Sequence, residues 1–438
     1  MKIFRRFICK PFLLGLASIT LLSGCSLFPS LRPPVLSGNR AFIAYWPPAE
    51  TNHHLKLAVK DNIDIKGVVT TAGSKRLARR RAPAEKDALC LAIARQRNVH
   101  IVGKANLSEF AVAPSGFNAY FGTPPSPLSN SRKLLPGGSS CGSAVAVASG
   151  MADVAFGTDT AGSIRVPAAW CGVVGLKTTH GLVPLEGVFP IEPEHLDTVG
   201  PMGKDIAHTV QGMDLLQDGF AALYAEAVAA QPSAQGIRIG LLNLEGTDPK
   251  IDQAVEEALA RTGFQVIRLD ESVRKAWEEA KKDGNAIAAA GAWISDKRFR
   301  HALGVTLRTK AAIRAGRIAF QTSYPEAVAR QAAWQNTLKE IFKKVDFIAL
   351  PTVQTPPQPI PLYRIGVMEA RMLDLQNTVA VNFAGNPALA VPIPLRDADV
   401  PVTSLQLIGP WLSEAQLLNA GRLVEAAVNN GNVKVAGP

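Results

Sequence analysis

The chain has little cysteine, little aromatic content and few histidines. Only five cysteines occur in 438 residues, at positions 9, 25, 90, 141 and 171, and no two are spaced as CxxC. That excludes a disulfide framework and a cysteine-based metal site, so no metal is expected. Aromatics make up 6 % of the residues, and no run of Lys and Arg is interleaved with them. The pattern that grips nucleic acid is therefore missing, and Arg79-Arg80-Arg81 reads as a surface cluster. No serine stands in a GxSxG elbow, and none of the seven histidines lies in a block that reads as catalytic, which argues against a Ser-His-Asp triad. GxxxxGK[ST] is also absent, so the glycine-rich stretches are not a phosphate loop, and no cofactor is expected. No internal repeat or low-complexity segment occurs.

The longest early apolar run is short. Pro11–Leu22 follows the cations Lys2, Arg5, Arg6 and Lys10 and falls below the roughly 20 apolar residues of a membrane span. It has signal-peptide form. Leu22-Ser23-Gly24-Cys25 closes it and resembles a bacterial lipobox, with cleavage before Cys25 and lipidation of its thiol. Ser26, where Asp would favour inner-membrane retention, leans toward the outer membrane. The expectation is a periplasm-facing protein held to the membrane by its N-terminal lipid. Removing 24 residues leaves 414 and lowers the net charge from +11 to +7, because four cations and no acids leave. This mild excess suits anionic membrane surfaces. The Pro- and Ser-rich residues 25–50 read as a tether, and 51–438 as the folded part.

Along that part, strand and helix signals alternate. Leu55–Asn62 alternates apolar and polar residues, as a strand does. Ala84–Arg97 is expected as a helix, with Glu85 and Asp87 in its first turn. His100–Gly103 predicts the next strand, Gly142–Gly150 a buried small-residue helix, and Ala152–Gly157 another strand. Residues 217–345 differ: a strand at Ile237–Leu242, an amphipathic helix at Ile251–Ala260 ending near Gly263, then charged helical sequence over Glu278–Arg330. Asp346–Leu350 is a buried strand, Asn377–Pro394 and Thr403–Gly409 carry strand and turn signals, and Leu412–Val428 is a closing helix. The order predicts one large α/β domain, a mixed central β-sheet covered by helices on both faces.

Two Gly- and Ser-rich blocks stand out between Leu135 and Lys177. One presents Ser139 and the other Ser163, with a small apolar segment between them. Upstream, AVKDNIDIKG puts Lys60 at the end of an apolar strand. A serine hydroxyl is a poor nucleophile until a base takes its proton, and lysine can be that base if burial keeps it neutral.

These three blocks, in this order, resemble the amidase signature family, serine hydrolases that cut carbon–nitrogen bonds. The resemblance implies that Ser163 is the acylated nucleophile and that Ser139 relays a proton to Lys60. It also implies that the backbone N–H groups of Thr160, Ala161, Gly162 and Ser163 form the oxyanion hole. The implied reaction is hydrolysis of a small carboxamide through an acyl-enzyme, releasing ammonia or an amine. Asp159 and Arg165, flanking the nucleophile, are expected to hold its loop. Cys141 departs from the family pattern, where a second Gly is usual. A binding module on the same fold and an amidotransferase A-type subunit are the alternatives. The three intact residues oppose the first, and the lipobox opposes the second. Residues 217–345, where the resemblance fades, are expected to shape the substrate pocket. Oligomeric state is not legible.

Overall fold

The alternation of Leu57, Ala58 and Val59 sends neighbouring side chains to opposite faces of a strand, and all three are fully buried. A strand buried on both faces lies inside a sheet with helices above and below it. The computed structural model of the chain, which describes residues 39–47, 54–361, 377–397 and 399–429 together with Gly366, Met368, Glu369 and Met372, has this arrangement. Its eleven described strands are β1 (Phe42–Tyr45), β2 (Lys56–Lys60), β3 (His100–Ala105), β4 (Val154–Asp159), β5 (Val174–Lys177) and β6 (Thr198–Gly203), followed by β7 (Arg238–Leu241), β8 (Gln265–Arg268), β9 (Phe347–Pro351), β10 (Ala388–Pro394) and β11 (Val402–Ile408). They form one mixed sheet in the order β1-β3-β2-β4-β6-β5-β10-β11-β9-β7-β8. β2 runs parallel to both β3 and β4.

The described helices are α1 (Lys75–Arg80), α2 (Ala92–Gln96), α3 (Cys141–Ala148), α4 (Arg165–Cys171), α5 (Ile206–Asp214), α6 (Phe220–Ala230), α7 (Pro249–Thr262), α8 (Glu271–Asp296), α9 (Leu307–Thr322), α10 (Tyr324–Phe342), α11 (Val379–Ala384) and α12 (Glu414–Asn429). Leu57, Val59, Phe156 and Val391 pack with residues of α5, α6, α7 and α12 on one face. Ala58, Val102 and Ala155 pack with α3 and α4 on the other. α3 sits close because it is built of small residues: a Cβ on Gly142 would collide with the backbone of Ala41 and Asn106. The expected single α/β domain with a mixed sheet covered on both faces is the observed one.

Three local expectations need correction. The helix predicted over Ala84–Arg97 is reduced to a 3-10 turn at Leu89–Leu91 and the short α2. The backbone before it is spent elsewhere: Ala84 N–H donates to Val68 O and Ala88 N–H to Asp64 O. The Asp87 carboxylate accepts from Lys66 N–H, 2.9 Å, instead of capping a first turn. Within Asn377–Pro394, Val379–Ala384 is helical. This β-branched sequence is buried, and Trp334 Nε1 donates to Ala380 O at 2.8 Å. Within residues 25–50, expected as a tether, Phe42–Tyr45 instead pair antiparallel with β3, and Ala41, Phe42 and Ile43 are buried. The signal-peptide region and Cys25 lie outside the described residues. No described helix is long and apolar enough to cross a membrane.

Candidate active site

Parallel strands β2 and β4 carry Lys60 and Thr158 to the same end of the sheet, the carboxyl end, where loops can assemble a site. Lys60 is fully buried. Its Nζ lies 2.7 Å from Ser139 Oγ and 2.7 Å from Thr158 Oγ1, with Thr158 O at 3.4 Å. Asn62 Nδ2 also donates to Thr158 Oγ1 at 3.1 Å, fixing that hydroxyl. Two other lysines are fully buried near the sheet, Lys104 and Lys177. Lys104 pairs with Asp61 at 3.1 Å, and Lys177 donates to the carbonyls of Thr178 and Asn386. Lys60 is the buried lysine that touches a serine. Burial, the dominant cause, lowers its pKa from 10.5 to about 7, while more distant Cys141, Asp159 and Asp197 pull it back upward. A neutral amine at that position can accept the proton of the Ser139 hydroxyl.

Ser139 is fully buried just before α3 and follows a cis Gly138-Ser139 peptide bond. Ser163 lies in the loop between β4 and α4. The two serine loops are joined where Ser140 N–H donates to Ser163 O at 3.2 Å. Asp159, the last residue of β4, organises the Ser163 loop. Its Oδ1 accepts from Gly162 N–H at 2.7 Å and its Oδ2 from Ile164 N–H at 3.1 Å. Arg165 clamps the same carboxylate through Nε at 3.0 Å and Nη2 at 2.9 Å, then reaches Gln406 Oε1 at 2.7 Å and Thr378 O at 3.0 Å. Asn382 Nδ2 adds a bond to Asp159 Oδ1 at 2.9 Å. Burial alone would raise this carboxyl's pKa, but Arg165 and Asn382 overcome that and hold it well below its usual value. Asp159 and Arg165 thus hold the loop as expected. Gly162 has φ 131°, and a Cβ there would strike the Thr378 hydroxyl.

One expected oxyanion donor is corrected. The Gly162 N–H donates to Asp159 Oδ1 at 2.7 Å and so supports the loop itself. Two side chains that the sequence did not single out brace the neighbouring positions. Asp197 accepts from Thr160 Oγ1 at 2.6 Å, while Thr378 Oγ1 donates to Ala161 O at 2.5 Å. Thr198 Oγ1 adds a bond to Asp159 O at 3.1 Å, so the start of β6 is part of the loop's support. Register could have signalled Thr158: β4 pairs in parallel with β2, so a hydroxyl two residues before Thr160 falls beside Lys60.

A cavity of about 220 Å³ opens over this loop, bordered by Gly138, Thr160, Ala161 and Ser163. Its far wall is Ala288, Ala289 and Ala292 of α8 with Ala312 and Ala315 of α9, and Asn285 is the polar residue on that wall. Ala111, Val112, Ala113, Pro114 and Ile191 complete it, and no charged side chain or histidine borders it among the described residues. The α8 and α9 residues on that wall belong to the middle region of the chain. Cys141 does not border it. Its thiol, pushed up to about 12 by burial, lies 3.6 Å from Asn106 O. Cys141 and Cys171 are both free thiols, so they do not pair.

A sequence profile of the amidase family matches residues 53–418, and so spans every residue of this site. The chain belongs to the amidase family. It is 35 % identical over 404 residues to 2-amino-5-chloromuconic acid deaminase of Comamonas testosteroni, covering 88 % of this chain and 84 % of that protein. Among solved structures, the A-type subunit of glutamyl-tRNA(Gln) amidotransferase from Thermotoga maritima superposes with a TM-score of 0.73 at 27 % identity, covering 88 % of this chain and 87 % of that one. The peptide amidase of Stenotrophomonas maltophilia gives 0.67 at 26 % identity, covering 86 % and 82 %. This amidase is an amide-hydrolysing enzyme.

Proposed function

We propose that this amidase cleaves a carboxamide through an acyl-enzyme on Ser163, with neutral Lys60 as the base acting through Ser139. The carrying observation is the 2.7 Å contact between buried Lys60 Nζ and Ser139 Oγ, beside a cavity bordered by Ser163. In this reading Ser139 gives its proton to Lys60 and takes one from Ser163, whose Oγ attacks the amide carbon. The carbonyl oxygen, becoming negative, is met by backbone N–H groups of Thr160, Ala161 and Ser163. Fixed donors of this kind each contribute a factor of roughly 10²–10³. The proton then passes to the departing nitrogen, ammonia or an amine leaves, and water releases the acid by the same relay.

The acyl group is uncharged and predominantly apolar. The cavity wall is alanine, with Asn285 to meet a single polar substituent. An anionic substrate, such as the acid in the name of the Comamonas relative, would find no cation among the described residues bordering the cavity. Rapid acid quenching during turnover of an aryl amide, followed by peptide mass spectrometry, should recover the acyl mass on Ser163. A fluorophosphonate should label the same residue. Labelling at another serine, with Ser163 unmodified, counts against the reading.

The protein works at a periplasm-facing membrane surface, tethered by lipid on Cys25, with Ser26 favouring the outer membrane. The lipobox Leu22-Ser23-Gly24-Cys25 supports this. Cys25→Ala is expected to abolish incorporation of labelled palmitate in growing cells. Incorporation equal to the parent protein's would remove the basis for this anchor.

A further inference from the structure

The sequence from Lys297 to Pro325 contains seven cations, Lys297, Arg298, Arg300, Arg308, Lys310, Arg314 and Arg317, and no Asp or Glu. It also carries the two most exposed large apolar residues among the described ones, Leu303 at 85 % and Leu307 at 84 %, and Ile318 is 64 % exposed. On α9, Leu307, Arg314 and Ile318 recur at i, i+7 and i+11 and so share one face. The Arg79-Arg80-Arg81 cluster joins this surface. It belongs to α1 and its C-cap, and Arg76 of the same helix donates to Leu303 O at 3.3 Å and packs against Gly304. From Lys75 to Arg81 there are five more cations and no acid. Among the described residues, carboxylates pair with Arg81 (Asp64) and Arg308 (Glu369). Arg79, Arg80, Lys297, Arg298, Arg300 and Arg314 are exposed and have no ion pair among the described residues.

Large apolar side chains standing fully in water amid unneutralised cations are a costly surface for a partner-free protein, and their arrangement identifies the partner by charge and depth. A bilayer boundary takes Leu and Ile into its acyl region while its phosphates meet the surrounding Lys and Arg. Nucleic acid would use the cations but leave Leu303 and Leu307 in water. We propose that this face, formed by α1, the Lys297–Thr306 turn and the outer side of α9, docks directly on an anionic phospholipid surface. This contact is separate from any N-terminal anchor and does not depend on the catalytic reading. Ala312 and Ala315 of the cavity wall stand on the same helix, about a third of a turn round from the docking face. Docking therefore holds the cavity beside the lipid boundary.

The test is vesicle flotation of the full chain carrying Cys25→Ala, so that no acyl group is attached and the N-terminal segment is common to all variants. Vesicles of phosphatidylcholine with about 30 % phosphatidylglycerol are compared with phosphatidylcholine alone. Binding is expected to favour the anionic vesicles by on the order of tenfold or more, and to lose that preference in about 0.5 M salt. Arg79→Glu with Arg314→Glu should abolish the preference for anionic vesicles. Leu303→Ser with Leu307→Ser should weaken binding about tenfold while leaving its salt dependence in place. Hydrolysis of a water-soluble amide reports that each variant is folded. Because the cations at Lys2, Arg5, Arg6 and Lys10 are common to every variant, each variant is read against the parent in the same vesicles. Equal binding to both vesicle types, variants that bind like the parent, or tighter binding to tRNA than to anionic vesicles would each overturn the proposal.

Discussion

Ser163→Ala is expected to lower kcat/KM for an amide by roughly 10⁴–10⁶-fold, the range seen when the nucleophile of a serine hydrolase is removed. Its stability should change by no more than about 0.5 kcal/mol. The reason for the second expectation is geometric. The loop is held by Asp159, Arg165 and the Thr378 bond to Ala161 O, none of which uses the Ser163 side chain. Burst kinetics make the effect specific: the parent should release a stoichiometric pulse of aryl amine, and Ser163→Ala should release none. Retention of more than a few per cent of the parent's activity in pure protein would sink the acyl-enzyme on Ser163. Ser139→Ala is the informative companion. It should also lose most activity, but fluorophosphonate should still label Ser163 slowly, because the attacking oxygen is present and only its relay is gone.

The part of the site built on local sequence was legible. Lys60, Ser139 and Ser163 each sit in a block whose residues shape their own turn, and Asp159 and Arg165 brace a loop only a few residues away. What was illegible depends on partners far along the chain. Thr378 reaches Ala161 across 217 residues, and Gln406 reaches Arg165 across 241. Thr158 became part of the site through strand register, and Gly162 ceased to be a free donor through a side-chain bond; neither is a property of composition. The alanines of α8 and α9 lay inside what read as charged helical sequence and form the cavity wall. The fold followed the same division. The strands β2, β3, β4, β7 and β9 were read from the sequence, whereas β5 and β6, buried along their whole length, were not. The 84–97 helix failed because backbone N–H groups found partners in loops near residues 64 and 68, and Val379–Ala384 became helical against Trp334 despite a β-branched sequence. The basic run at residues 79–81 was noticed as an isolated cluster. Only the fold sets it beside the acid-free segment that begins at Lys297.

Lys60 gives the sharpest separation between a catalytic and a structural reading. If the neutral amine is the working form, kcat/KM should fall about tenfold per pH unit below pH 7 and hold level above it until another group titrates. Burial also places Lys177 and Glu192 near pH 7, so an acid limb there does not by itself name Lys60. Lys60→Met decides. It should lose most activity, and what remains should lack the limb that depends on this amine. Lys60→Arg should not rescue, because a guanidinium stays charged at every working pH and cannot accept a proton. Substituting Lys60 should affect stability in the opposite sense from activity. The folded pKa is depressed from 10.5 to about 7, so between those values the unfolded chain binds more protons and stability rises with pH. The cost of burying this charge is fully present below pH 7 and gone above pH 10.5. Lys60→Met removes that cost while giving up the contacts to Ser139 and Thr158, and at about pH 6 its melting temperature should equal or exceed the parent's. A lysine kept for structure predicts the reverse: the Met variant melts lower, and Arg restores both stability and rate. An Arg variant within about tenfold of the parent would end the case for Lys60 as the base. An inactive but undiminished Met variant would show that the fold carries a desolvated amine at a cost in stability, for the sake of the proton it can take.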